Sequence, residues 1–243
     1  KDEDPAPMIF DRGAVAPGVD AGYLGEGDGA MLPGTIFQEN IGSQPFMKVN
    51  RNGVRFANES TPYDTLCFQA AQQPGGVWCS IFDANAPEDI IRFSTIGCSA
   101  FANQMMAAGM PLEEFVATSR DAGYLKKADT IEELGEAFGL TNLTETIDKY
   151  NEACALGYDD EFFLPADYMH AIENGPYYVF EYNPGAWVTL GGIKTDGFCR
   201  AVNSDNDIVD GLYVAGVDGD FWSVPYFQGG SCNGLALASG VLA

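Results

Sequence analysis

The sequence predicts an α+β fold in which a largely helical middle is inserted between β-rich ends. Two observations carry this. Residues 99–156 show helical spacing and helix-start signals, while residues 46–59 and the stretch from 176 onward read as short strands and turns. No internal repeat and no low-complexity linker interrupts the chain. β-rich flanks around a helical centre suggest an inserted domain whose flanks belong together. The expected division is a flanking or loop region over 1–40, the inserted domain over 41–185, and the rest of the outer domain over 186–243.

Composition limits what such a protein can bind. The chain is 46% hydrophobic and 19% charged, so its 243 residues can bury a sizeable core. Its 12 basic and 35 acidic side chains leave a net charge of −23. Nucleic-acid binding needs a basic stripe to neutralise phosphates, and none exists. An anionic membrane surface would repel the chain. No apolar run approaches the ~20 residues of a membrane span. A single histidine, His170, and no Cys-x-x-Cys pair argue against a zinc site. A serine triad could use only that histidine. Six cysteines spread between 67 and 232 do not resemble a disulfide scaffold and are expected as buried thiols. KDEDPAPMIF is no signal peptide. The start without Met and the end within a helical ALASGVLA suggest a piece of a longer chain.

The elements follow in order. The first 45 residues are turns rich in Gly and Pro; GEGDGA lacks the strand and helix that a phosphate loop needs, and reads as a loop. FMKVN and VRFANE flank Asn52-Gly53, a strong hairpin signal. DTLCFQAAQQ is helical, with Leu66 and Ala70 on one face, and Pro74-Gly75-Gly76 ends it. VWCSIFD reads as a buried strand. Thr130 and Glu133 form a capping box. Asn142 with Glu145 starts a second helix, whose Leu143, Ile147, Tyr150 and Cys154 share a buried face. PYYVFEY, WVTLGGIKTD, FCRAVN and GLYVAG are candidate strands. GGSCNGLALASGVLA is a helix with a glycine-rich N-terminus.

Four stretches, MKVNRNGVRFANES, NLTETIDKYNEACALGYDDEF, ENGPYYVFEYNPGAWVTLGGIKTD and GLYVAG…FQGGSCNGLALASGVLA, together resemble one superfamily in order and spacing. It is that of the FAD-dependent fumarate reductases, urocanate reductases and 3-ketosteroid dehydrogenases, and the likeness covers most of residues 36–243. The resemblance implies an FAD-dependent oxidoreductase whose flavin and small-molecule substrate meet between an FAD domain and an inserted cap. The G-x-G-x-x-G fingerprint that cradles the pyrophosphate is absent. The chain therefore reads as the cap plus the C-terminal part of a split FAD domain lacking its N-terminal half. By itself it is expected to bind FAD weakly or not at all and to be inactive.

The resemblance also implies roles. Thr189, Gly191 and Gly192 would let backbone approach the flavin closely. Gly229, Gly230 and Ser231 open the last helix, whose N–H groups would stabilise negative charge on the ring. Asp218, one residue later than the family's usual acid, could hydrogen-bond the ribityl chain. Fumarate reductases place arginines at the positions of Tyr63 and Phe227, and a histidine at that of Val188. The loss of all three removes the usual grip on a dicarboxylate, although Glu39 falls where those reductases have a glutamate. The 3-ketosteroid dehydrogenases fit better. They have tyrosines at the positions of Tyr63 and Tyr226, and a glycine at Gly230 donates its N–H to the ketone. Tyr63 would handle the proton at the carbon next to a carbonyl, and Tyr226 and Gly230 would form an oxyanion hole. Phe221, Trp222, Phe227 and Trp187 suit a flat, largely neutral substrate, a ketosteroid-like enone. The alternatives are a reductase of a small unsaturated acid and, in another class, an acidic binding domain without chemistry. Arg55 reads as structural and His170 as a surface or boundary residue. The electron donor or acceptor is unknown. Family members are often exported in anaerobic bacteria, which with the acidic surface favours an extracytoplasmic home.

Overall fold

The structure, a computed structural model, describes residues 8–11, 41–42, 44–93, 105–121, 125–182, 185–189, 192–221 and 231–243. The elements in order are β1 (Met8–Asp11), β2 (Met47–Asn50), α1 (Tyr63–Ala71), β3 (Trp78–Phe82), α2 (Ala86–Arg92), α3 (Leu112–Asp121), β4 (Leu125–Ala128), α4 (Ile131–Phe138), α5 (Leu143–Leu156), β5 (Tyr177–Tyr182), β6 (Gly185–Thr189), β7 (Arg200–Val202), β8 (Ile208–Tyr213) and α6 (Ser231–Leu242). The mixture of helix and antiparallel sheet agrees with the expected class. Two compact units separate, one of residues 12–185 and one of 1–11 with 186–243.

In the larger unit a four-stranded antiparallel sheet runs β2-β3-β5-β4. Period-two alternation gives it two apolar faces. Trp78, Phe82, Tyr178, Phe180 and Tyr182 point to one face and pack with Leu66 and Ala70 of α1, Ile90 of α2 and Phe115 of α3. Met47, Val49, Cys79, Ile81 and Val179 point to the other and pack with Leu134 of α4 and Ile147 of α5. Cross-strand neighbours stack: Trp78 on Tyr182 at 4.2 Å and Phe82 on Tyr178 at 5.2 Å between ring centroids. Each such pair contributes about 0.5–1.5 kcal/mol beyond its buried area.

Four local expectations change. Met8–Asp11, in the stretch read as turns, is the strand β1. The hairpin at Asn52-Gly53 has one full arm, because after the turn only Arg55 bridges back, to Val49. LKKA, inside the stretch read as helical, is the edge strand β4. Pairing with β5 overrides its helix propensity, and its two exposed lysines suit an edge. Asn142 does not cap α5 through its side chain; its amide donates to the Asn52 carbonyl at 2.8 Å. That contact seats the turn on the helix so closely that Gly53, at φ +76°, has no room for a Cβ: one would lie 2.8 Å from the Leu143 nitrogen. The capping box at Thr130 and Glu133 is present, with Gly139 left-handed at the far end of α4.

Arg55 is buried and holds two carboxylates at once. Its Nε and Nη2 donate to Glu59 at 2.8 Å each, and its Nη1 and Nη2 to Asp159 at 3.1 and 2.8 Å. Its guanidinium carbon lies 4.9 Å from the rings of both Tyr150 and Phe162. Asp159 also accepts the backbone N–H groups of Glu161, Phe162 and Leu164. Burial alone would push the Asp159 carboxyl up, but Arg55 and these N–H groups outweigh it and hold the pKa at about 2. Asn58 donates to the Phe162 and Phe163 carbonyls at 3.0 and 2.9 Å. The R-F-x-N-E stretch thus ties down the start of a long strap, residues 157–176, between α5 and β5.

The smaller unit has a two-stranded β1-β6 sheet and a β7-β8 hairpin. Its helix α6 packs on the Gly216–Asp218 turn, where Ser239 Oγ accepts the Gly216 N–H at 2.8 Å. Among the described residues Cys79, Cys154 and Cys199 are free thiols, and no helix is long and apolar enough to cross a membrane.

Arg55→Ala would leave Glu59 and Asp159 buried without a counter-charge. It is expected to cost about 3–5 kcal/mol in urea-unfolding free energy. The stability lent by Asp159 is full above the ordinary carboxylate pKa and is lost as pH falls towards about 2. Asp159→Asn should therefore flatten the acid limb of an unfolding titration.

Candidate functional site

Tyr63 is the first residue of α1, just beyond the RFANES segment. Its approach is built by Asn58, whose Oδ1 accepts the Ser60 N–H at 2.9 Å and the Ser60 hydroxyl at 2.6 Å. Pro62 precedes the helix, and the Leu66 N–H reaches its carbonyl at 2.9 Å, the first helical bond. The position of Tyr63 thus rests on the Arg55–Glu59–Asp159 network through only three intervening residues.

In the smaller unit Val188 and Thr189 end β6, which pairs with β1. Gly192 and Asp218 are brought together. The Ile193 N–H donates to the Asp218 carbonyl at 2.9 Å, and Asp220 N–H returns to the Ile193 carbonyl at 3.1 Å. Gly192 has φ +125°, and a Cβ there would lie 2.4 Å from the Asp218 oxygen. Only glycine fits that approach. The Asp218 carboxylate stays exposed in its turn. Ser231 begins the 12-residue helix α6, whose Ala236 and Ser239 face that turn. Glu39, Gly191, Tyr226, Phe227, Gly229 and Gly230 lie outside the described residues, as does Trp222.

Sequence reasoning overlooked two clusters. Asp220 accepts the Thr195 N–H and hydroxyl at 2.9 and 3.0 Å, and so closes the 192–195 segment onto the 216–220 turn. Only the acid-rich VDGD offered a signal. The second cluster, Asp83, Asp89, Arg92 and His170, joins residues up to 87 positions apart and left no pattern in the sequence. His170 is no free surface residue: its Nδ1 lies 3.2 Å from Asp89 and its Nε2 3.3 Å from the Asn85 amide.

Gly192→Ala should lower the melting temperature of the chain by several degrees in calorimetry, because the main chain of Asp218 must move away. A surface glycine with open space around it, Gly197, is the control, and alanine there should leave the melting temperature nearly unchanged.

The chain resembles several characterised proteins. Vinyl phenol reductase of Lactiplantibacillus plantarum is 30% identical over 209 residues, covering 82% of this chain and 42% of that protein. The 3-oxosteroid 1-dehydrogenase of Mycolicibacterium smegmatis is 31% identical over 219 residues, or 80% and 37%. The 3-ketosteroid Δ1-dehydrogenase structure from Sterolibacterium denitrificans superposes with a TM-score of 0.65 at 20% identity, over 98% of this chain and 42% of that one, and so shares its fold. The chain thus spans about two fifths of the length of these relatives. The family described as FAD binding domain matches residues 22–233. That match takes in both the RFANES segment and the Gly192–Asp218 turn, so the superfamily expected from the sequence is the one found, and the chain belongs to the FAD binding domain family, whose cofactor is FAD.

Proposed function

We propose that this chain forms the cap and C-terminal FAD-domain portion of an FAD-dependent oxidoreductase acting on a carbon–carbon bond next to a carbonyl. The observation that carries the reading is the family match over residues 22–233 together with a tyrosine, Tyr63, at the start of α1. On this reading residues 41–185 are the cap and 186–243 the end of a split FAD domain. The exposure of α6 supports the split. Leu237 and Val241 are 74% and 87% exposed on a helix that is apolar on most of its surface. Such a helix normally lies inside a core. β8 is likewise exposed along its length.

The described residues fit FAD by their chemistry. The exposed Asp218 carboxylate can accept hydroxyl hydrogen bonds, and the N-terminus of α6 at Ser231 favours an anionic ring. Thr189, Gly191 and Gly192 would carry backbone past the ring, and Gly229 and Gly230 would open the helix towards it. Bound FAD supplies hydride exchange at N5 with the carbon beta to the carbonyl. The chain's own residues do the rest. Tyr63 holds or moves the proton at the alpha carbon, a task suited to a phenol tuned by neighbouring dipoles. Tyr226 O–H and Gly230 N–H bind the carbonyl oxygen where enolate charge develops. By the resemblance Val188 and Phe227 stand at substrate positions where dicarboxylate reductases carry carboxylate-binding groups, and Glu39 where they carry a glutamate. Direction follows from the redox partner.

In the full-length enzyme Tyr63→Phe should cut turnover at least about tenfold, a loss of about 1.4 kcal/mol of transition-state stabilisation, with FAD still bound. Unchanged turnover would remove Tyr63 from the mechanism, and efficient fumarate reduction would contradict the neutral-substrate reading. The purified 243-residue chain should be colourless; a yellow preparation with stoichiometric FAD would overturn the split-domain reading.

A further inference from the structure

The strap of residues 157–176 runs from α5 to β5 with one short 3-10 turn, Ala166–Tyr168. Loops of this length in a compact domain are uncommon unless they have a task. This one is held mainly by side chains reaching its backbone. Asp159 and Asn58 fix its start. Asn151 brackets Ile172, donating to its carbonyl at 3.1 Å and accepting its N–H at 2.8 Å. Asp83, buried after β3, accepts the Glu173 and Asn174 N–H groups at 3.0 and 2.9 Å. Arg92 of α2 donates to the Asp167 and Met169 carbonyls at 2.6 and 3.2 Å.

At the centre of these ties sits His170, the single histidine of the chain. Its side chain is 29% exposed, between two carboxylates whose side chains are almost wholly buried: Asp89 at 3.2 Å from Nδ1 and Asp83 at 3.8 Å from Nε2. Asp89 Oδ1 also takes Arg92 at 2.8 Å, while its Oδ2 is buried with no hydrogen-bond partner. One buried acid therefore has unused acceptor capacity beside the ring. The other titratable groups facing the ring are Arg92 from α2, Tyr150 from α5, whose hydroxyl accepts the His170 N–H at 3.4 Å, and Tyr168 from the strap itself.

We propose that His170 is a protonation-controlled latch that holds the 157–176 strap against Asp83 and Asp89. The protonated imidazole places a cation between two buried anions; the neutral ring leaves two carboxylates facing each other. The electrostatics agree. Asp83 first, and then Asp89, raise the His170 pKa above its ordinary value, against the opposing effect of burial. A histidine raised in the folded state lends stability that is complete below its unfolded pKa and is lost as pH rises through the folded one. The latch is thus closed in mild acid and released towards neutral and alkaline pH.

With one histidine, the imidazole signals of the full chain can be assigned in NMR without ambiguity. The expected titration midpoint lies above the reference of about 6.5; a midpoint at or below it overturns the latch. Hydrogen exchange of the His170, Ile172, Glu173 and Asn174 amides, corrected for intrinsic rates, should show strap opening that grows as pH rises through that midpoint. Linkage sets its size: about tenfold for each unit by which the midpoint exceeds the reference. Opening that does not change with pH also overturns the proposal. His170→Gln should abolish this pH dependence, and its persistence there overturns the latch. If that variant does not fold, Asp89→Asn serves instead: it should lower the His170 midpoint, and an unchanged midpoint is the contrary result.

Discussion

The larger unit depends on one buried cation. Arg55 is paired bidentately with both Glu59 and Asp159, two groups a hundred positions apart in the chain. Desolvating three charges is costly, and geometry this complete is what makes it tolerable: every guanidinium nitrogen donates, and Asp159 spends its remaining lone pairs on backbone N–H groups. Removing Arg55 leaves both acids uncompensated, whereas removing one acid leaves Arg55 paired with the other. The network clamps three things at once: the turn after β2, the approach to α1, and the start of the strap.

That clamp links packing to chemistry. Tyr63 sits a few residues beyond Glu59, so its backbone position is set by a buried ion pair and not by a mobile loop. The proton-moving role proposed for Tyr63 requires that it be held to within a fraction of an ångström of its partner. The aromatic sheet supplies the rigid platform, since stacked cross-strand rings leave β3 and β5 no freedom to slide. In the smaller unit the corresponding constraint is steric. Gly192 lets the 192–195 segment lie against the backbone of Asp218, and Asp220 closes the junction through Thr195.

The far end of the strap is fastened differently. Its ties are hydrogen bonds to carbonyls and amides, with His170 between two acids at their centre. The beginning of the strap is held by an arginine that never loses its charge, while its middle is held by a group whose charge changes near neutral pH. One loop thus combines a permanent anchor with a titratable one.

Patterns confined to a few neighbouring residues were legible in the amino-acid sequence. The Thr130–Glu133 capping box, the buried strand VWCSIFD, the apolar face of α5 and the turn at Asn52-Gly53 arise from local hydrogen bonding and periodicity, and the chain carries them openly. Motif order was legible as well and led to the FAD-binding superfamily. Tertiary pairing decided the rest. LKKA became a strand because β5 offered an open edge, and Asn142 gave up its cap because the Asn52 carbonyl lay closer to hand. Asp159, which completes the pairing of Arg55, and the partners of His170 lie far away in sequence, and no period or spacing connects them. Local propensity is written residue by residue, but a buried charge finds its counter-charge only where the folded backbone brings the two within reach, and that distance exists only in three dimensions.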